Sequence, residues 1–249
     1  MKTGEFVIIA GKKNYLVKVS DENFSTEYGT INLSKLKKKK IGDKIKTNSG
    51  EEFLIAKPSF IDVLMKKCKR LPQIVMPKDA ALILAYTGIP TNAKIVDAGA
   101  GSGFLSIFLA YYCSNGNVVT YEKNKEFAKI VRKNIEKLRL KNIQVKEKDI
   151  LKGIEENNLD LITLDMKESE NVIEEAYKKL KFGSWLVVYS PYIEQVKKVV
   201  EKMKNYFTDI TTIENITREW KVNYHTLPKS SGIMHTGFLT FGRKLIKTI

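Results

Sequence analysis

The stretch Val96-Asp97-Ala98-Gly99-Ala100-Gly101-Ser102-Gly103 places three glycines at alternate positions, after an apolar strand-like run and before an apolar helix-like one. Glycine there supplies left-handed backbone and lets the main chain press against a ligand. The loop lacks Gly-Lys-Ser/Thr, which removes a Walker phosphate cradle, and its Gly-x-Gly-x-Gly spacing departs from the Gly-x-Gly-x-x-Gly of dinucleotide folds. Three further acids close the strand-like runs that follow. Glu122, in Tyr121-Glu122, can accept both hydroxyls of a ribose. Asp149, in Lys148-Asp149-Ile150, can accept from the exocyclic amine of an adenine, with Ile150 against the ring. Asp165 closes Leu161-Ile162-Thr163-Leu164-Asp165-Met166. Any one of these alone reads equally well as a solvated surface acid. Together, beside a glycine loop on the carboxyl edge of a sheet, they form a site for a nucleotide-like cofactor.

The elements that must position these groups divide the chain in two. Residues 1–69 read as a small β-rich domain: strand-like runs at 5–11, 12–20, 24–33 and 51–59 are separated by turn residues. Lys37-Lys38-Lys39-Lys40 within it reads as a surface loop. Residues 70–249 alternate helix-like and strand-like segments, the pattern of a mostly parallel sheet covered on both faces. The last two strand-like segments, at 207–222 and 236–245, have no helix between them and are expected to pair as an antiparallel hairpin at one edge. This α/β, Rossmann-like doubly wound sheet with a C-terminal hairpin resembles the class I S-adenosylmethionine-dependent methyltransferases. The resemblance favours S-adenosylmethionine over NAD and assigns Asp97, Gly99, Gly101, Ser102, Gly103, Glu122, Asp149 and Asp165 to its binding, with Asp97 reaching toward the methionine end.

Chemistry at the fourth strand is narrowed by what is missing. Enzymes that methylate exocyclic amines carry an Asp/Asn-Pro-Pro-aromatic loop where this chain has Asp165-Met166-Lys167-Glu168. Ser190-Pro191-Tyr192 mimics part of that loop but follows the fifth strand and reads as a turn. Cytosine-C5 chemistry needs a thiolate nucleophile. Cys113 lies inside an apolar helix and Cys68 precedes the catalytic domain, so both read as inert thiols. An acid without a nucleophile suits a substrate that is itself nucleophilic, such as adenine N1, whose methylation yields a cation. A carboxylate at the exocyclic amine would orient the base and draw off the developing charge. Asp165 is the candidate catalytic residue; its bland alternative is to cap the next helix.

The chain from about 70 to 243 resembles the tRNA (adenine-N1)-methyltransferase family, which modifies T-loop position 58 and, in archaeal members, position 57. Gln73-Ile74-Val75-Met76-Pro77-Lys78-Asp79 is similar to the segment that closes over the cofactor, which adds Pro77 to the cofactor set and Met76 and Lys78 to the substrate side. Arg218-Glu219-Trp220 and residues 232–239, with His235, are similar to the family's substrate-side segments, and His235 could equally orient the last strand. Where the family often has a Tyr, this chain has Met76, a softer and polarizable surface. The resemblance further implies a homotetramer, contact of tRNA with more than one subunit, and flipping of the target base.

Composition frames these readings. Lys and Arg number 43 against 28 Asp and Glu, a formal charge of +15, which favours polyanionic partners. Residues 1–70 carry 16 of the basic and 8 of the acidic residues. Heat-adapted surface networks offer a second origin for such a Lys-rich composition. No apolar run reaches a membrane span or a signal-peptide core, so a cytoplasmic protein without a membrane partner is expected. The two cysteines exclude a disulfide scaffold, and His225 and His235 lack the clustered ligands of a metal site. Two other readings stay open: a class I methyltransferase for another RNA, a small molecule or a protein carboxyl group, and a non-catalytic RNA-binding subunit. The intact acids argue against the latter.

Overall fold

The computed structural model describes residues 1–224, 226–230, 232 and 235–245. His225, and Ile233 and Met234 of the C-terminal segment, lie outside the described residues. The chain forms two units, Met1–Cys68 and Lys69–Ile249.

In the first unit, β1 (Phe6–Ala10), β2 (Tyr15–Lys18), β5 (Lys44–Lys46) and β6 (Glu52–Ala56) form one antiparallel sheet in the order β2-β1-β6-β5, while β3 (Asn23–Thr26) and β4 (Gly29–Asn32) form a separate hairpin. The run at 24–33 is thus two strands and not one, because Glu27 and Tyr28 turn and Gly29 takes a left-handed φ of 109°. Val7, Ile9, Val17, Ile31, Phe53 and Ile55 belong to its core. Two features depart from expectation. Lys37 and Lys38 end a 3-10 helix, Leu33–Lys38, which Asn32 caps through Ser34 N–H and which buries Leu33 and Leu36. The second is α1 (Phe60–Lys67), started by a reciprocal Ser59–Asp62 capping box.

The second unit carries a seven-stranded sheet in the order β12-β15-β11-β10-β7-β8-β9, from β7 (Lys94–Ala98), β8 (Asn117–Tyr121), β9 (Ile143–Lys146), β10 (Leu159–Leu164), β11 (Leu180–Ser190), β12 (Thr208–Glu214) and β15 (Phe238–Arg243). A short pair, β13 (Trp220–Lys221) and β14 (Leu227–Pro228), lies between β12 and β15 in the chain. β7 to β11 pair in parallel, and β15 is antiparallel to both β11 and β12, so the last long strand inserts inside the edge. The helices are α2 (Pro77–Thr87), α3 (Phe104–Tyr112), α4 (Lys125–Leu138), α5 (Ile173–Lys179) and α6 (Ile193–Met203).

Sequence explains these elements locally. β10 is almost continuously buried, as a parallel strand covered on both faces must be. Pro77 opens α2 with its fixed φ, and Gly88 closes it at φ 58°. Asn124 caps α4 by accepting from Glu126 N–H and Phe127 N–H. Val96, Ile162, Leu164, Leu186 and Val188 anchor the core beneath the strand ends that carry the acids. Among the described residues no helix is long and apolar enough to cross a membrane.

Candidate active site

Register builds the floor of the site. Asp97 on β7 lies opposite Thr120 on β8 and Thr163 on β10. Both hydroxyls donate to its carboxylate, Thr120 Oγ1 to Oδ2 and Thr163 Oγ1 to Oδ1, each at 2.7 Å. Asp97 is buried, and burial together with the Glu122 charge pushes it up to about 6, against the pull of the two hydroxyls.

The loop above needs its glycines for separate reasons. Gly99, Gly101 and Gly103 all have left-handed φ, at 81°, 56° and 82°. A Cβ on Gly99 would fall 1.9 Å from the Asp165 carbonyl oxygen, so only glycine lets the loop meet the end of β10. A Cβ on Gly103 would fall 2.7 Å from Val131 Cγ1, which makes that glycine a packing residue for α4. Glu122 holds the loop: Gly101 N–H donates to Oε2 at 2.8 Å, and Asn124 N–H donates to Oε1 at 2.9 Å.

Three adjoining hollows line this edge. The first, about 450 Å³, is walled by Leu71 to Val75 on one side and by Asp97, Gly99 to Ser102, Glu122 and Asp165 on the other. The second, about 180 Å³, shares Gly99 and Glu122 with it and adds Asp149, Ile150 and Met166. The third, about 200 Å³, shares Pro72, Gln73, Ile74 and Asp165 with the first and adds Met76, Tyr189, Pro191, His235 and Thr236. Asp165 therefore stands at the junction of the first and third hollows. Its carboxylate accepts no hydrogen bond among the described residues. Burial, and then the Asp97 charge, push it up to about 7.

Several side chains hold the third hollow in shape. Tyr189 Oη donates to the Thr236 carbonyl, and burial followed by the Asp165 and Asp79 charges raises its pKa. Gly237 passes so close that a Cβ would sit 2.5 Å from the Tyr189 ring. His235 directs Nδ1 at the Glu214 carboxylate and Nε2 at the Pro191 carbonyl at 3.2 Å. Two acceptors on two ring nitrogens favour the imidazolium, and they raise its pKa, Glu214 foremost.

Of the sequence-derived candidates, Asp97, Gly99, Gly101, Ser102, Glu122 and Asp165 meet at the first hollow, Asp149 at the second, and Met76 and His235 at the third. Asp149 also accepts from Leu151 N–H, capping a short 3-10 turn. Pro77, Gly103, Lys78 and Arg218 line none of the three. The Lys78 ammonium is committed to Asp79, the Asn215 carbonyl and Thr236, at 2.8, 2.5 and 2.8 Å, while Thr236 also donates to the buried Asp79. Arg218 is exposed, in the coil between β12 and β13. Cys68 and Cys113 are buried, and burial pushes the Cys113 thiol up. Among the described residues no three His, Cys, Asp or Glu gather as a metal site.

Thr120, Thr163 and Tyr189 went unread in the sequence. For the two threonines a signal existed: each is a lone threonine within an apolar strand. Tyr189 carried none, because only the fold brings it to the third hollow.

A family model for the tRNA methyltransferase complex GCD14 subunit matches residues 64–237. The chain is 34% identical to the tRNA (adenine(57)-N(1)/adenine(58)-N(1))-methyltransferase TrmI of Methanocaldococcus jannaschii, over 93% of this chain and 91% of that protein. It is similar to the structure of the tRNA (m1A58) methyltransferase TrmI of Aquifex aeolicus, with a TM-score of 0.84 and 28% identity across 99% of both chains. A structure from Thermotoga maritima described as a SAM-dependent O-methyltransferase aligns with a TM-score of 0.89 and 31% identity, over 99% of this chain and 95% of that one.

Proposed function

The chain belongs to the family of the GCD14 subunit of the tRNA methyltransferase complex, and from that premise we propose that it methylates adenine N1 in the T-loop of tRNA. The donor is S-adenosylmethionine, and the target is position 58 together with its neighbour 57, the pair named for the Methanocaldococcus jannaschii relative. One observation carries the reading: Asp165 is shared by the large hollow beside the glycine loop and the smaller hollow behind it. A single carboxylate thus faces both a donor site and an acceptor site.

The residues of the first two hollows suit the donor. Ser102 Oγ is buried without a hydrogen-bond partner, a hydroxyl left for a ligand to satisfy. Each Glu122 carboxylate oxygen accepts one backbone N–H, which leaves lone pairs for two ribose hydroxyls. Asp149 and Ile150 suit an adenine amine and ring face, and Asp97 holds the amino-acid end. Bound there, S-adenosylmethionine supplies a methyl group on a positively charged sulfur.

Asp165 accepts from the exocyclic amine of the target adenine, aims N1 at the methyl group, and takes up positive charge or a proton as N1 becomes cationic. A carboxylate raised to about 7 is a better proton acceptor than an ordinary aspartate. Met76 offers the base an apolar surface. The overall charge of +15 favours the RNA phosphates, and His235, whose pKa the Glu214 carboxylate raises, stands on the acceptor side. Arg218 contributes to RNA capture, Pro77 presets the start of α2, and Lys78 acts on the substrate side by fixing the 76–79 turn to the C-terminal segment. A cytoplasmic homotetramer completes this reading.

Incubation with methyl-labelled S-adenosylmethionine and unmodified tRNA transcript, followed by nucleoside analysis, tests it. The expected product is N1-methyladenosine at 58, and at 57 where that base is adenine. The description of the Thermotoga maritima structure favours a second reading, methyl transfer to an oxygen acceptor. Label absent from RNA in the same assay would turn the assignment that way.

A further inference from the structure

Asn134 is a buried amide on the otherwise apolar face of α4, where Ala128, Val131 and Ile135 are its buried neighbours. Its Oδ1 accepts from Lys69 N–H at 2.9 Å, and its Nδ2 donates both to the Lys69 carbonyl and to the Ser102 carbonyl, each at 2.9 Å. One amide therefore satisfies both backbone groups of Lys69 as a neighbouring strand would, and its second N–H reaches the glycine loop. Those two attachments lie at the bases of opposite walls of the first hollow: Leu71 to Val75 follow Lys69, and Gly99 to Ser102 form the other side. Val131, one turn earlier on α4, fills the space beside Gly103. A leucine would serve for packing alone, whereas the amide is fully used.

We propose that Asn134 is a positioning residue that latches the two walls of the cofactor hollow at a fixed separation. The inference rests on the reading of that hollow as the S-adenosylmethionine site. Asn134 touches neither donor nor acceptor; it acts through backbone that does. Because the contacts run to main-chain groups, no substitution at Lys69 or Ser102 removes them, and Asn134 alone controls them. Loss of the latch should weaken binding of the donor without altering the transfer step.

The test uses the full chain with S-adenosylhomocysteine as probe, titrated by calorimetry against wild type, Asn134→Leu and Asn134→Asp. Asn134→Leu keeps the apolar packing and removes three hydrogen bonds. Asn134→Asp keeps the shape and turns the amide donor into an acceptor facing two carbonyls. Both should bind roughly tenfold or more weakly, the effect of one to two net hydrogen bonds. KM for S-adenosylmethionine should rise in step, with kcat at saturation within about threefold of wild type. Amide hydrogen exchange should accelerate across 69–75 and 99–103 and stay unchanged in β7 and β10. Either variant binding within twofold of wild type, or exchange accelerating equally throughout the sheet, would overturn the latch. A wild-type chain that binds no S-adenosylhomocysteine would instead overturn the reading of the hollow.

Discussion

Thr163 on β10 donates its hydroxyl to Asp97 on β7 at 2.7 Å, and the two sit opposite each other in register two residues before Asp165. The strand that presents Asp165 to the acceptor side thereby also fixes the acid on the donor side. Thr120 completes the clamp from β8. Thr163→Val should leave the fold intact and weaken S-adenosylmethionine binding about three- to tenfold, since the buried Asp97 loses one of two donors. Calorimetric titration checks this, and unchanged affinity would remove the clamp from cofactor binding.

Activity should depend on pH through Asp165. Burial and the Asp97 charge raise it to about 7, and only the carboxylate form accepts from the adenine amine. At saturating cofactor and tRNA, kcat should climb about tenfold per pH unit on the acid side and level off above about pH 7.5. Asp97→Asn removes the neighbouring charge, so the rise should move to lower pH. A flat profile between pH 5.5 and 8 would exclude this titration from the transfer step.

The same shift has a stability consequence with a definite sign. The folded-state value of Asp165 lies above the unfolded 3.8, so the folded chain binds the proton more tightly, and stability falls as pH rises from about 4 to about 7. Asp165→Asn removes that loss. Its Tm should exceed the wild-type value at pH 8 by about 3 °C or more, and the gap should close toward pH 4. Equal melting temperatures at pH 8 would show that this carboxylate is not under strain.

Lys78 separates a positioning role from direct RNA contact. Lys78→Met leaves the buried Asp79 with Thr236 as its remaining side-chain donor among the described residues. Unfolding free energy should drop by about 3 kcal/mol, the lower end of the scale for breaking a buried pair, because the Lys78 side chain is partly exposed. The slope of log affinity for tRNA against log salt should stay the same. A slope reduced by about one with unchanged stability would put Lys78 on a phosphate instead.

Gly99→Ala should be tolerated least within the loop. Its Cβ would meet the Asp165 carbonyl, and the residue needs φ 81°. Cofactor binding should be lost along with about 2 kcal/mol or more of stability. Gly101→Ala faces a loop with space around it and should be milder, although its φ is also positive.

Much of this was legible in the sequence because strand ends announce themselves. A buried parallel strand is an apolar run, and the first polar residue after it lies on the carboxyl edge, which located Glu122 and Asp165, whereas Asp97 was marked by the glycine loop that follows it and Asp149 lies three residues beyond β9. What stayed hidden depends on partners distant in the chain. Lys78 resembles a substrate contact until Asn215 and Thr236 are seen to enclose its ammonium. Asn134 sits in an amphipathic helix whose period says only that it faces inward. The insertion of β15 between β11 and β12 leaves no mark in a pattern of local segments. The 3-10 turn ending at Lys38 was masked by the lysine run, whose charge conceals the burial of Leu33 and Leu36.

The position of Asp165 between donor and acceptor is best tested by single-turnover methylation of tRNA with Asp165→Asn, alongside calorimetric measurement of its affinity for S-adenosylmethionine. The expected result is affinity within about twofold of wild type and a transfer rate lower by about two orders of magnitude or more. A transfer rate within threefold of wild type would contradict the assignment.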